Sequence, residues 1–321
     1  MNLYASVSKT LVAAALLAFP AFLAFPVLAQ WPDYPAGPKP AMDGPTPRTA
    51  DGHPDLSGLW ENARPAGAGR GTARGGAGRG GPAPNAAPNA GAPNAAGLPP
   101  VQNGPPPDPT VARPVPPLPA DGIPLATFQN IGAGFKDGLP LRPWAADLLK
   151  KRMADNDKDN PDAHCLPLGL MQLHMHVQPR KIIQTPKDVV ILYEAQGGVR
   201  QIFTDGRTLP GNDPEPWWYG YSIGHWEGDT LVVETTGFRD DVWLDINGSP
   251  MTNTGKMIER FSRPNFGSLT IEVTIDDPKV YTKPFTVRVN HRLMPNTELI
   301  EFVCNENERS DSHLVGAEWK K

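Results

Sequence analysis

The sequence predicts an all-β protein: an antiparallel up-and-down β-barrel, with a β-sandwich as the alternative. Three observations carry that expectation. Beyond Cys165, short runs rich in Val, Ile, Thr, Tyr and Phe recur at regular spacing. The connections between them hold turn residues, among them Gly197-Gly198, Asp205-Gly206-Arg207, Asn247-Gly248, Asp276-Asp277-Pro278 and Pro295-Asn296. No helical stretch separates the runs, which argues against the strand–helix alternation of a parallel sheet. Closure into a barrel is preferred because it removes the edges that so many strands would otherwise expose.

The organising hairpin spans residues 219–236. Gly228-Asp229 divides two β-rich runs, and Gly at the first position of a two-residue loop supplies the positive φ such turns require. Pairing Glu227 with Thr230 puts Ser222, Gly224, Trp226, Leu231 and Val233 on one face, which reads as core. Tyr221, Ile223, His225, Val232 and Glu234 share the other face, half apolar and half ionisable.

Taken in order, the chain opens with an expected export signal over residues 1–29. Lys9 precedes an apolar run from Leu11 to Leu28, and Val27-Leu28-Ala29 before Gln30 fits a small-residue cleavage site. An uncleaved anchor is the alternative, since the run is just long enough to span a bilayer; Pro20 and Pro26 favour cleavage. Cleavage leaves no transmembrane segment and a periplasmic or secreted location. Residues 30–64 hold the first strand, at Gly58-Leu59-Trp60. Over residues 65–120 Gly, Ala, Pro, Asn and Arg dominate, and Ala-Pro-Asn recurs at Ala83, Ala87 and Ala92. Such a composition buries too little apolar surface to offset its ordering entropy, so a long disordered insertion is expected.

The barrel domain is expected over residues 121–321. Pro143 sits where the first turn of a helix tolerates it, and Trp144, Leu148, Leu149 and Met153 form the apolar stripe of one short helix. Strands are expected at 170–177, 181–185, 189–195, 199–204, 221–227, 230–236, 256–261, 269–275, 285–292 and 298–304. The two cysteines, Cys165 and Cys304, bracket this region. In an oxidising compartment they are expected to pair, and closing so long a loop contributes about 4–5 kcal/mol on the chain-entropy model.

Gly58-Leu59-Trp60 resembles the Gly-X-Trp that opens the first strand of the lipocalin and calycin superfamily, which implies an up-and-down barrel. A wider resemblance covers residues 48–60, Ile202 to Arg207, the organising hairpin and residues 274–284. These stretches are similar to a family of exported bacterial proteins of soil and sphingomonad-type genomes. That resemblance implies export and carries no activity.

Three groups of residues could carry chemistry. On a strand, His174 and His176 would face the same way and could reach one metal; a solvated strand face is the alternative, and no metal is favoured. Glu259 lies between Met257 and Phe261, Glu301 between Leu299 and Val303, and His291 continues the face of Phe285, Val287 and Val289. Facing inward, these groups and His225 would line a cavity with pKa values shifted toward acid–base work. Facing outward, they are solvated heads. The third group is aromatic: Trp217, Trp218, Tyr221 and Trp226, with Arg207 nearby, offer flat apolar area at a barrel mouth.

The net charge of −4 and the lack of a basic block argue against nucleic acid as a partner. No phosphate-binding glycine loop, serine-hydrolase elbow or zinc-protease motif is present, and no cofactor is expected. The leading expectation is an exported lipocalin-like protein that binds a small apolar or aromatic ligand. The alternative is a cofactor-independent lyase, isomerase or hydrolase using the cavity Glu and His residues.

Overall fold

The computed structural model describes residues 40–63, 122–211, 215–240 and 242–306. The expected export signal (1–29) and disordered insertion (65–120) lie outside the described residues. The strands are β1 (Gly58–Asn62), β2 (Arg180–Gln184), β3 (Asp188–Tyr193), β4 (Val199–Phe203), β5 (Tyr221–Glu227) and β6 (Thr230–Thr236). Two short strands follow, β7 (Val242–Trp243) and β8 (Pro250–Met251), then β9 (Lys256–Asn265), β10 (Ser268–Asp276) and β11 (Phe285–Leu293). A closed barrel forms in the order β1-β11-β10-β9-β6-β5-β4-β3-β2, while β7 and β8 pair with each other. The all-β barrel is therefore borne out.

Closure depends on β1, which pairs with β2 through Gly58↔Ile182 and with β11 through Trp60↔Leu293. The organising hairpin has the expected register, with Glu227 opposite Thr230 and Gly224 opposite Val233, and Gly228 takes φ +59. One pair departs from a wholly antiparallel barrel. β4 and β5 run parallel, in register only at Ile202↔Ser222 and Phe203↔Ile223. A parallel pair requires the chain to travel back along the barrel before the next strand begins, and the connection from Phe203 to Tyr221 must make that return.

The expected helix is α1 (Pro143–Ala154), with Pro143 at its first position. Two expected strands are corrected. Residues 170–177 hold a second helix, α2 (Leu170–Met175), and residues 298–304 carry no strand. In α2 every residue is a good or neutral helix former and none is β-branched, so local preference opposes a strand there. The alternation of polar and apolar residues that suggested a strand has no bearing, because all six residues are buried. A helix this short is unstable alone, and packing holds it. His174 of α2 reaches the inward-facing Glu259 and Phe261 of β9, so the helix packs against the inner face of the barrel. Ile182, Ile191, Ile202, Val233, Phe261, Val273 and Val287 fill the interior beneath it.

Cys165 and Cys304 are disulfide-bonded, with Cα atoms 5.5 Å apart. The bond ties the segment before α2 to the segment that follows β11. Among the described residues no helix is long and apolar enough to cross a membrane.

The seat of α2 is tight. A Cβ added at Gly169 would lie 2.1 Å from the backbone oxygen of Trp243 and 2.9 Å from Val242 Cγ1. Gly169→Ala is expected to lose about 1–3 kcal/mol in urea unfolding, as overpacked sites do. Gly211→Ala, where a Cβ meets nothing within 4 Å, is the control and should change stability by under about 0.5 kcal/mol. Equal stability of the two variants would contradict the packing of α2.

Candidate functional site

Alternation along β4, β5, β6 and β9 points Arg200, Ser222, Thr235 and Glu259 into the barrel among apolar neighbours. Val233 stands opposite Glu259 in the sheet, which brings β6 and β9 side by side at this level. Arg200 grips the Glu259 carboxylate with both guanidinium ends, Nη1 to Oε1 at 2.9 Å and Nη2 to Oε2 at 2.5 Å. It also donates to Ser222 Oγ at 3.0 Å and Thr235 Oγ1 at 2.9 Å. His174 Nε2 lies 2.7 Å from Glu259 Oε1. Burial pushes the Glu259 carboxyl upward, but Arg200 and His174 together overcome it and hold the carboxyl at about 2. Burial lowers the His174 pKa despite its carboxylate neighbour. The imidazole is thus neutral, with its proton on Nε2 donated to Glu259.

A second buried cation lies beside this pair. Arg180 Nη1 donates to His174 O at 2.7 Å and to His291 Nε2 at 2.6 Å, and Nη2 donates to His176 O at 3.0 Å. Among the described residues Arg180 has no carboxylate partner. The carbonyls at the C-terminal end of α2, left free by the helix itself, take its charge. Burial draws its pKa down to about 10. His291 Nε2 lies between Arg180 Nη1, a donor at 2.6 Å, and His174 O, an acceptor at 3.0 Å, while its buried Nδ1 meets no hydrogen-bond partner. Burial, then the neighbouring Arg180, keeps His291 neutral, well below its ordinary value.

The wall of the barrel opens beside this cluster. β4 and β5 meet at only two registered pairs, so Val199 to Gln201 have no partner on that side. A cleft of about 430 Å³ occupies the gap. Trp217, Trp218, Tyr219, Tyr221 and Phe203 line it, with Arg200 and Ser222 at its floor. The Tyr221 ring lies 5.3 Å from both Trp217 and Phe203. Arg207 stacks 3.8 Å over Phe203, donates to Tyr221 Oη at 3.2 Å, and is clamped by Asp205. Arg239 covers Trp218 at 4.7 Å. Trp217 is fixed through its backbone, its N–H donating to Gly237 O at 2.9 Å, yet its side chain is 43% exposed and reachable. Gly220, at φ +64, lets the return segment press on β6, since a Cβ there would lie 2.6 Å from Thr235 Cγ2.

The structure brings some of the expected residues together and separates others. Trp217, Trp218, Tyr221 and Arg207 gather at the cleft. Trp226 lies at the opposite end of β5 and stacks on His53 at 4.6 Å. His225 points outward beside Glu227, at 3.3 Å. Glu259 and His291 face inward, into packed protein, whereas Glu301 is exposed on the segment after β11. The expected shared face of His174 and His176 is corrected by α2. On a helix, residues two apart diverge; His174 turns to Glu259, while His176 Nδ1 accepts from the Gln178 N–H and its ring meets the edge of Phe128. Among the described residues no group of three His, Cys, Asp or Glu side chains is placed to hold a metal.

Arg200 and Arg180 carry no motif that marks them in the sequence. The period-two pattern of Val199-Arg200-Gln201-Ile202-Phe203 already placed Arg200 on the face of Ile202, opposite charge to the inward Glu259. No protein-family model, curated protein or solved structure matches this chain.

The buried cluster sets an acid response. Glu259 titrates at about 2 in the fold against an ordinary 4.5, so the unfolded chain takes up its proton first as pH falls. Its stabilisation is whole above 4.5 and is lost from there toward 2. The His174, His176 and His291 imidazoles stay neutral in the fold below their ordinary 6.5, so stability also declines from 6.5 downward. Urea titrations across pH should show both declines. Glu259→Gln should shrink the lower one and, by stranding the Arg200 charge, cost about 3–5 kcal/mol at pH 7. A loss below about 1 kcal/mol would contradict the pairing as described.

Proposed function

We propose that this protein is an exported binding protein that takes a small, planar, largely apolar molecule into the cleft between β4 and β5. The observation that carries the reading is the cleft itself: about 430 Å³, within the usual range for small-molecule sites, and walled by aromatic rings over a few fixed polar groups. Rings held by Arg207, Arg239 and neighbouring backbone are pre-organised, so little ordering entropy opposes binding. The interior filled by α2 and apolar side chains leaves recognition to the wall. The bonded Cys165 and Cys304 are in keeping with an oxidising compartment.

The enzyme alternative finds less support. Glu301 and His225 are exposed and stand apart from the buried Glu259 and His291, and Glu259 is committed to Arg200 and His174. A carboxyl held at about 2 is ill matched to proton transfer near neutral pH.

Calorimetric titration with one- and two-ring aromatic probes tests the reading. Trp217→Ala and Trp218→Ala should each weaken binding about fivefold or more, as aromatic anchors do. Trp226→Ala, at the far end of β5, should leave affinity unchanged within about twofold. Loss of binding in Trp226→Ala with none in the other two would overturn it.

A further inference from the structure

A second hollow, of about 460 Å³, lies beneath the segment that the disulfide pins after β11. Pro167 lines both this hollow and the aromatic cleft. Ile300, Phe302 and Val303 supply the apolar wall, beside the side chains of Glu194 and Gln196. Glu194 is 9% exposed and, among the described residues, forms no ion pair. Its two oxygens receive only long hydrogen bonds, from Gln178 Nε2 at 3.4 Å and the Ile300 N–H at 3.3 Å. Both exceed the ordinary range for N–H···O contacts. Gln196 Oε1 is buried with no hydrogen-bond partner, since its amide nitrogen is turned to Asp162 Oδ1 at 2.6 Å. Glu301 adds a second carboxylate at the mouth, and among the described residues no lysine, arginine or histidine lines the hollow.

A buried carboxylate held only by long hydrogen bonds and a buried amide oxygen without a donor are costly. A group carrying positive charge and several N–H donors answers both. We propose that this hollow receives the protonated amine of the ligand whose ring lies in the neighbouring cleft, so that the ligand class is an aromatic amine. The inference rests on the proposed function for the ring and adds the charge. An organic ammonium suits the site better than a metal ion, because a single close carboxylate set against Ile300, Phe302 and Val303 offers too few hard oxygen ligands for an ion.

Three probes with the same ring separate the possibilities: 2-phenylethylammonium, 2-phenylethanol and 3-phenylpropanoate, titrated calorimetrically at pH 7 into the oxidised full chain. The ammonium should bind at least about tenfold more tightly than the alcohol, with the carboxylate weakest. Glu194→Gln should bring the ammonium to the level of the alcohol and leave the alcohol unchanged. Equal binding of all three probes by the wild-type protein, or tightest binding of the carboxylate, overturns the amine site while the aromatic cleft stands. If Trp217→Ala and Trp218→Ala leave ammonium binding intact and Glu194→Gln abolishes it, the amine site stands and the aromatic reading falls. Absence of binding by every probe at millimolar concentration overturns both.

Discussion

The Glu259 carboxylate is the group around which the interior is built. A charge at that depth is tolerated only when paired and hydrogen-bonded on every side. Arg200 from β4, Thr235 from β6 and His174 from α2 converge on it, with Ser222 from β5 holding Arg200 in turn. Each partner comes from a different element, so the cluster pins register across the wall and seats the helix as well. Slipping β9 by one residue would turn Glu259 out and leave Arg200 as an uncompensated buried cation. Arg180 completes the arrangement by occupying the carbonyls where α2 ends. The short helix thus owes its place to the charges beneath it as much as to its apolar side chains.

Filling the barrel this way moves recognition to the wall. The parallel pairing of β4 and β5 is short and demands a return segment between them. That segment delivers Trp217, Trp218 and Tyr219 to the edge of the gap, and Gly220 lets the chain turn closely into β5. The floor of the cleft is then the outer side of the same Arg200 and Ser222 that serve the interior. Stability and recognition meet at one side chain: Arg200 cannot be altered for the cleft without disturbing Glu259.

The sequence made the barrel legible where one face is buried and the other wet. Strands β10 and β11 carry strict alternation, and their limits fall within a residue or two of those expected. Alternation misled at residues 170–177, because a helix buried all round shows no solvent face to reveal its period. The absence of β-branched residues before Val177 was the better local signal. At residues 298–304 the apolar residues Ile300, Phe302 and Val303 are exposed rather than paired in the sheet, held there by Cys304. For the site, the aromatic cluster was legible as a loop composition, whereas Trp226 was misplaced with it because proximity in sequence hid the length of β5. The ion pair of Arg200 and Glu259 depended on which strands neighbour one another, and pairing order lies beyond the period of any single strand.

Fluorine NMR of the protein labelled with 5-fluorotryptophan tests directly that recognition lies on the wall and outside the barrel interior. Single Trp→Phe variants assign the resonances, and 2-phenylethylammonium is the titrant. The resonances of Trp217 and Trp218 should move with ligand, while those of Trp60, buried in the interior, and Trp226, stacked on His53, stay fixed. Movement of Trp60 with Trp217 and Trp218 unchanged would place the ligand inside the barrel and contradict the cleft.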